Sequence, residues 1–314
     1  MKYRKIGMLD QEISQLVLGS MVFSLDDVFA GYRLLDRFFE AGGNAVDTAY
    51  IYSGGDGERL LGMWMKKHGN RTDVFVAGKG GHPNGKVPRP RIAPEEVRAD
   101  IDTTLIRMQT DYIDLYMLHR DDEQIPVSTV IDYFNEEIGR GRVRSVGVSN
   151  WQRQRIIDAN EYANSRGLKG LVVSSNNFSL AVAMRPHWHG VLCVDRLTWE
   201  WHKETQLALM PWSSQARGFF SGKFAPDKRD DRHMVEIYYN NENFERLNRA
   251  ELLGREKGNS AIQISLAYVM QQPFPIFPII GPRNLDELDS SLGAVDVELT
   301  EKEMQWLNLE IEGL

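Results

Sequence analysis

Residues 113–149 read IDLYMLHRDDEQIPVSTVIDYFNEEIGRGRVRSVGVS. The runs 113–119 and 143–149 are short, apolar and partly β-branched, and residues 129–140 between them have helical periodicity. A strand, a helix and a second strand in that order predict parallel strands joined by a crossover helix. The same alternation extends in both directions. Further strands are expected at 13–20, 44–49, 74–79, 170–175, 206–213 and 276–281. Further helices are expected at 26–40, where Val28, Leu34, Leu35 and Phe38 share a face, and at 94–108, which opens on Pro94 and acids suited to a first turn. Residues 152–166, 261–272 and 284–292 complete the set. Eight such units predict an α/β fold of the closed (β/α)8 TIM-barrel type, which usually takes about 250 residues plus insertions. A doubly wound open sheet is the alternative architecture.

The chain has 314 residues, 42% hydrophobic and 26% charged, which is ordinary for a globular protein and excludes a disordered chain or a small disulfide scaffold. Cys193 is the single cysteine, so no intramolecular disulfide forms and a reducing, cytoplasmic setting is expected. The 37 basic and 44 acidic residues leave a formal charge of −7. Such a surface repels phosphate backbones and anionic lipid, so neither nucleic acid nor membrane is an expected partner. The opening MKYRKIGMLDQEISQ lacks an apolar signal core, and no stretch approaches the roughly 20 apolar residues of a membrane helix. No Gly/Ser or Pro linker divides the chain, which predicts one domain over 1–314. The first 12 residues suit a short hairpin capping the barrel floor. Residues 181–203 and 217–243 exceed usual loop lengths.

Three motifs come close to cofactor or metal signatures and fail. Gly80 to Val87 fits GxxxxGK, but Val87 stands where Ser or Thr would hold Mg²⁺, and Pro88 and Pro90 deny it a helix. Gly55 to Leu60 resembles GxGxxG, but Leu60 is too bulky at the third position. His187-Trp188-His189 has no third ligand nearby, so packing or pocket-lining is expected there rather than a metal.

The informative residues lie where strands are expected to end. Asp47 closes the second strand in NAVDTAYIYSGG, and Tyr52 follows five residues later. Lys79 closes the third in VFVAGKGG, and His119 closes the fourth in IDLYMLHR. In a parallel barrel these ends open on one face, where barrel enzymes keep their active sites. Singly, an Asp caps a loop, a Tyr packs and a Lys is solvated; four titratable groups on three consecutive strand ends are harder to explain that way. A lysine after the buried run VFVAG also needs a carboxylate partner, and Asp47 is the candidate. Together the four suit carbonyl reduction. The oxygen of a carbonyl that accepts hydride needs a proton, and a tyrosine of ordinary pKa, about 10, is a slow acid. A neighbouring ammonium is expected to lower that pKa, a carboxylate to orient the ammonium, and the histidine to fix the oxygen. The hydride must come from a cofactor.

The chain resembles the aldo-keto reductase family from LVLGS (16–20) to IIGPRNLDELDSSLGA (279–294). DTAYIYSGG, AGKGG, DLYMLHR, GRVRSVGVSN and PWSSQARGFFSGK stand in the family's order and at its spacings. The resemblance implies a (β/α)8 barrel binding NADPH or NADP, with NAD possible, and without a Rossmann domain. It implies Asp47, Tyr52, Lys79 and His119 as the catalytic residues, Tyr52 being the general acid. It implies that Ser149 and Asn150 hold the nicotinamide carboxamide and that Trp212 stacks on the nicotinamide ring. Ser213, Ser214, Gln215, Arg217, Gly218 and Lys223 fall in the pyrophosphate-wrapping stretch. Gly19, Ser20 and Met21, at and just past the end of the first strand, and Asp47 are also implied as cofactor-binding residues. Gly281, Arg283 and Glu287 lie at the adenosine end, before a helix whose N–H groups favour phosphate.

Some positions depart from the family. Ser175 stands where a second carboxamide partner is usually Gln, and Glu287 and Ser291 stand where Gln or Arg, and then Asn, are usual. A glutamate repels a 2′-phosphate but accepts from a ribose hydroxyl. The substrate is expected to be a small carbonyl or alcohol, in a pocket walled by Phe23, Tyr50, Trp151 and residues near Trp188. Its identity, the physiological direction and the oligomeric state are not legible. Two other readings are a cofactor-sensing subunit with little turnover, as in potassium-channel relatives of the family, and a barrel aldolase using Lys79 as a Schiff-base lysine. Repeated turnover separates the first from an enzyme, and borohydride trapping the second.

Overall fold

In the computed structural model, which describes residues 1–7, 11–86 and 88–314, the strand–helix alternation curls into a barrel. β1 (Tyr3–Arg4) and β2 (Ile13–Ser14) form an antiparallel pair. The barrel then runs β3 (Val17–Gly19), α1 (Val28–Glu40), β4 (Ala45–Asp47), α2 (Asp56–His68), β5 (Phe75–Gly80), α3 (Pro94–Met108), β6 (Ile113–Leu118) and α4 (Val127–Gly139). It continues through β7 (Val143–Ser149), α5 (Arg153–Arg166), β8 (Leu171–Ser175), α6 (Arg196–Thr205) and β9 (Ala208–Leu209). After α7 (Arg232–Tyr238), α8 (Asn241–Lys257) and α9 (Ala261–Met270) come β10 (Ile279–Ile280), α10 (Leu285–Gly293) and α11 (Glu301–Leu307). The strand order is β10-β3-β4-β5-β6-β7-β8-β9, parallel throughout. The two ends of the sheet meet through a parallel bridge between Leu209 and Ile276, where the Phe277 N–H donates to the Leu209 carbonyl at 2.8 Å.

Strand periodicity of two sorts the side chains. Val17, Ala45, Phe75, Ala77, Leu115, Met117, Val173, Ala208, Met210 and Ile279 fill the barrel interior. Val46, Val76, Tyr116, Leu118, Val146 and Val148 pack against the helices in the larger cluster. Ile6 and Ile13 reach into the interior cluster from below. Tyr3 Oη donates to the Gly42 carbonyl at 2.6 Å and Arg4 to that of Phe274 at 3.3 Å, both before barrel strands. The expected floor-closing hairpin is present as the β1–β2 pair; Met8, Leu9, Asp10 and Val87 lie outside the described residues.

Several expected elements change. The strand over 13–20 divides into β2 and β3, and the strand over 206–213 shortens to two residues before Pro211, which has no N–H to continue a ladder. Helix α2 stands outside the expected set; it starts in the glycine-dense GGDGE, which carries no apolar periodicity. Those glycines serve packing: a Cβ on Gly57 would come within 3.0 Å of Ser20 Oγ, and one on Gly55, at φ +98°, would strike the Arg107 guanidinium. The long segments 181–203 and 217–243 are not plain loops, since they carry α6, α7 and the start of α8, with Asp195, Asp231 and Asn240 as side-chain N-caps. Among the described residues no helix is long and apolar enough to cross a membrane.

Candidate active site

The alternation that buries Ala45, Ala77 and Met117 inside the barrel also sets the residues two places on, Asp47, Lys79 and His119, at the C-terminal mouth. Beyond β4 the chain stays alongside β5: Thr48 N–H donates to the Ala77 carbonyl at 2.9 Å and Tyr50 N–H to that of Lys79 at 2.8 Å. It then turns back over Tyr52–Gly55, where Ser53 and Gly54 take left-handed backbone. This brings the Tyr52 hydroxyl to 3.3 Å from Lys79 Nζ. The ammonium also donates to Asp47 Oδ1 and, at 3.2 Å, to the Thr48 carbonyl. The His119 ring stands edge-on to Tyr52 with centroids 5.7 Å apart. Its own backbone is clamped, its N–H donating to the Gly80 carbonyl at 2.8 Å and its carbonyl accepting from Asn150 Nδ2 at 3.2 Å.

Asp47 and Lys79 are each only 2% exposed. Burial works to lower the lysine pKa, but Asp47 and Tyr52 reverse this and hold it above the ordinary value. Burial raises the Asp47 carboxyl, and Lys79 opposes the rise. For Tyr52 the expected lowering by Lys79 is present but outweighed: burial holds the phenol above its ordinary value. The imidazole of His119 is pushed well down by burial and by the charges of Lys79, His82 and Arg120, so it is neutral at pH 7. The arrangement therefore keeps a protonated phenol, an ammonium and a neutral imidazole around one point.

Cofactor candidates ring the same mouth. His119 Nδ1, Ser175 Oγ and Trp212 Nε1 are buried without hydrogen-bond partners among the described residues, whereas the unpaired Ser20 Oγ and Thr48 Oγ1 lie against Gly57 of α2. Each of the first three lies at or just past the C-terminal end of a barrel strand. Buried polar atoms are normally satisfied, so these three point to a polar ligand. Gly19 ends β3, and Met21 is exposed. Ser149 Oγ donates to the Ser175 carbonyl at 2.7 Å, and Asn150 Nδ2 donates to Ser149 Oγ at 2.9 Å, which leaves Ser175 with the free hydroxyl of the three. Ser214 is tied to the Ile279 carbonyl at 2.7 Å, and Gln215 meets Ser291 at 3.4 Å. Ser213, Ala216, Arg217 and Gly218 all have left-handed backbone, folding the stretch back on itself. Lys223 is exposed, and a Cβ on Gly281 would meet open space. Asn284 caps α10, and Arg283 pairs with Glu287 at 2.9 Å. A nicotinamide dinucleotide fits these residues: unsatisfied polar atoms at one end, and an open glycine, two cations and a helix N-terminus at the other.

The structure also places residues that sequence reasoning passed over. The His82 ring lies 4.8 Å from that of His119, Arg120 follows His119 directly, and His233 and Tyr238 of α7 join His187. His82 stands three residues after Lys79, just past the end of β5, a spacing that would have marked it. His187 is a packing residue, bonded to Tyr238 Oη at 2.9 Å and edge-on to Trp212 at 5.3 Å. Two expected pocket walls are corrected: Phe23 and Trp151 are fully buried in the core against the helices, where neither can face an open pocket. Tyr50 and Trp188 stay accessible, although Tyr50 is sandwiched by Arg91 and Arg107.

The chain matches the Aldo/keto reductase family over residues 15–309. It is 28% identical to norsolorinic acid reductase B of Aspergillus parasiticus, covering 93% of this chain and 79% of that one. It is 26% identical to an NADP⁺ aryl-alcohol dehydrogenase of Phanerodontia chrysosporium, covering 90% and 76%. The crystal structure of the thermostable aldo-keto reductase Tm1743, solved with the inhibitor epalrestat, superposes with a TM-score of 0.77 at 22% identity, covering 98% and 99%. With a family match across nearly its whole length, the chain belongs to the aldo/keto reductase family.

Proposed function

We propose that this protein is an NADPH-dependent reductase of aldehydes or ketones, formed as one domain, with Tyr52 as general acid. The observation that carries the reading is the Lys79 ammonium, held by Asp47 and 3.3 Å from the Tyr52 hydroxyl. A reduced nicotinamide, when bound, supplies the hydride to the carbonyl carbon. As negative charge develops on the substrate oxygen, Tyr52 gives it a proton, and the nearby ammonium stabilises the phenolate left behind. His119, neutral, donates a hydrogen bond that fixes the same oxygen. Asp47 keeps Lys79 charged and aimed. Ser149, Asn150 and Ser175 would hold the carboxamide, Trp212 the ring face, residues 213–223 the pyrophosphate, and Gly281, Arg283 and α10 the adenosine end. The similarity to the NADP⁺ aryl-alcohol dehydrogenase supports the choice of cofactor. The test is oxidation of NADPH with a panel of aldehydes, followed by nicotinamide absorbance. Tyr52→Phe should lower kcat by about 10²–10⁴ while leaving NADPH affinity nearly intact; retention of more than about a tenth of the wild-type kcat would remove Tyr52 from the role of acid.

A further inference from the structure

The positive charge at the barrel mouth is not exhausted by the groups above. Lys79 is matched by Asp47, but Arg120, half-buried next to His119, has no carboxylate within ion-pair distance among the described residues. Its guanidinium makes one hydrogen bond, from Nη1 to the His119 carbonyl at 3.1 Å. Its charge is felt by Tyr52, His82 and His119. Four other arginines show the usual solution: Arg71 is 2.8 Å from Asp114, Arg91 2.7 Å from Asp100, Arg107 2.7 Å from Glu58 and Arg155 2.8 Å from Asp121. Withdrawing a guanidinium from water without a counter-charge is costly, so its retention there points to an anion that arrives from outside. The main chain that carries it is also held in place. Trp151 Nε1 donates to the Arg120 carbonyl at 3.3 Å, and Gly190 lies beside the stem, where an added Cβ would stand 3.9 Å from Arg120 Cδ.

The cofactor does not account for this charge. The stretches assigned to its phosphates follow β9 and β10, which stand three and four places from β6 around the barrel. Arg120 therefore belongs to the opposite wall, beside the groups that face the reacting oxygen. We propose that Arg120 is the specificity-determining residue of the substrate site and binds the carboxylate of an acidic aldehyde or ketone. The planar fork of a guanidinium matches a carboxylate bidentately. A single cation also matches a monoanion in charge; with His82 and His119 neutral, a phosphate dianion would remain half-compensated.

This proposal rests on the carbonyl-reductase reading, and the experiment separates the two. Two matched pairs, succinic semialdehyde with butanal and p-carboxybenzaldehyde with p-tolualdehyde, are assayed with NADPH in wild type, Arg120→Met and Arg120→Lys. Wild type should favour the acid in at least one pair by about tenfold or more. Arg120→Met should remove most of that preference, mainly through KM, and Arg120→Lys should restore part of it. Turnover without preference for the acid in either pair, or a preference unchanged in Arg120→Met, overturns the proposal and leaves the reductase reading standing. If no aldehyde is turned over, the reductase reading fails, and calorimetric titration of p-carboxybenzaldehyde into NADP⁺-loaded Tyr52→Phe decides the carboxylate site. Binding about tenfold weaker in the Tyr52→Phe, Arg120→Met double variant supports the proposal; equal binding, or none in either protein, overturns it.

Discussion

Arg283 and Glu287 close on each other across the first turn of α10: Nη2 lies 2.9 Å from Oε1, and the Arg283 backbone N–H donates to Oε2 at 2.9 Å. The cation expected to meet a 2′-phosphate is thus already engaged by the acid expected to repel one. Burial works to raise the Glu287 carboxyl, but Arg283 and Lys223 hold it below the usual range. A 2′-phosphate must compete with this carboxylate for the guanidinium. The pair is largely exposed, so the competition is worth about 1 kcal/mol after screening. A modest preference for NADPH is expected, sharpened roughly fivefold by Glu287→Gln and mostly erased by Arg283→Ala. The measurement is kcat/KM for both cofactors in the three proteins; a wild-type preference for NADH that weakens in Glu287→Gln would invert the assignment of the adenosine end.

Lys79→Met should act on both rate and stability. Without the ammonium only the weaker influence of Arg120 opposes the burial that raises the Tyr52 phenol, so kcat should fall and any titration of the phenol should move to higher pH. Asp47 is left as a buried carboxylate without its partner, which costs about 3–5 kcal/mol in comparable cases. Urea unfolding and the kcat–pH profile report the two effects separately. An unchanged pH profile would uncouple Lys79 from Tyr52.

Trp212 sits half-buried against His187 and Trp188, at centroid distances of 5.3 and 5.8 Å. If the nicotinamide stacks on its indole, NADPH should quench tryptophan fluorescence, and Trp212→Ala should weaken binding by about 1–3 kcal/mol, by analogy with base–aromatic stacking. The chain has seven tryptophans, so the quench must be compared between wild type and variant. Equal quenching in both would place the cofactor away from Trp212.

His187 and His202 give the fold a defined acid sensitivity. Burial lowers both pKa values to about 4, His187 with help from Arg217 and His202 despite its bond to the Leu207 carbonyl. In the unfolded chain they take up protons as the pH falls through about 6.5, whereas the folded chain excludes them until about 4. The unfolded state binds more protons in that window, so stability is full above about pH 6.5 and falls as the pH drops toward 4. Urea midpoints at pH 7 and pH 5 should show the loss. In His202→Asn the pH slope should shrink by at most about 1.4 kcal/mol per pH unit, although the variant is less stable throughout because Ser174 Oγ and the Leu207 carbonyl lose their partner. The same slope in both proteins would exclude His202 as a source.

What could be read from the sequence alone followed from local periodicity. The apolar runs around residues 75–80, 113–118 and 143–149 could be assigned because a strand buried on both faces needs a nearly continuous apolar run. The period of two along the barrel strands also ties Asp47, Lys79 and His119 to the mouth of the barrel. Pro94 marked the start of α3 because its missing N–H is not needed in a first turn. Other features depended on residues far apart in the chain. Helix α2 is hidden in the sequence because Gly55 and Gly57 are there to admit Arg107 and Ser20, neither of which is local. The net direction of the Tyr52 shift is set by how far the phenol is withdrawn from water, which no spacing reveals. Arg120 looks in sequence like any solvated arginine. Only the tertiary structure decided that no acid among the described residues reaches it, because charge pairing is set by which elements pack together and not by which residues follow one another.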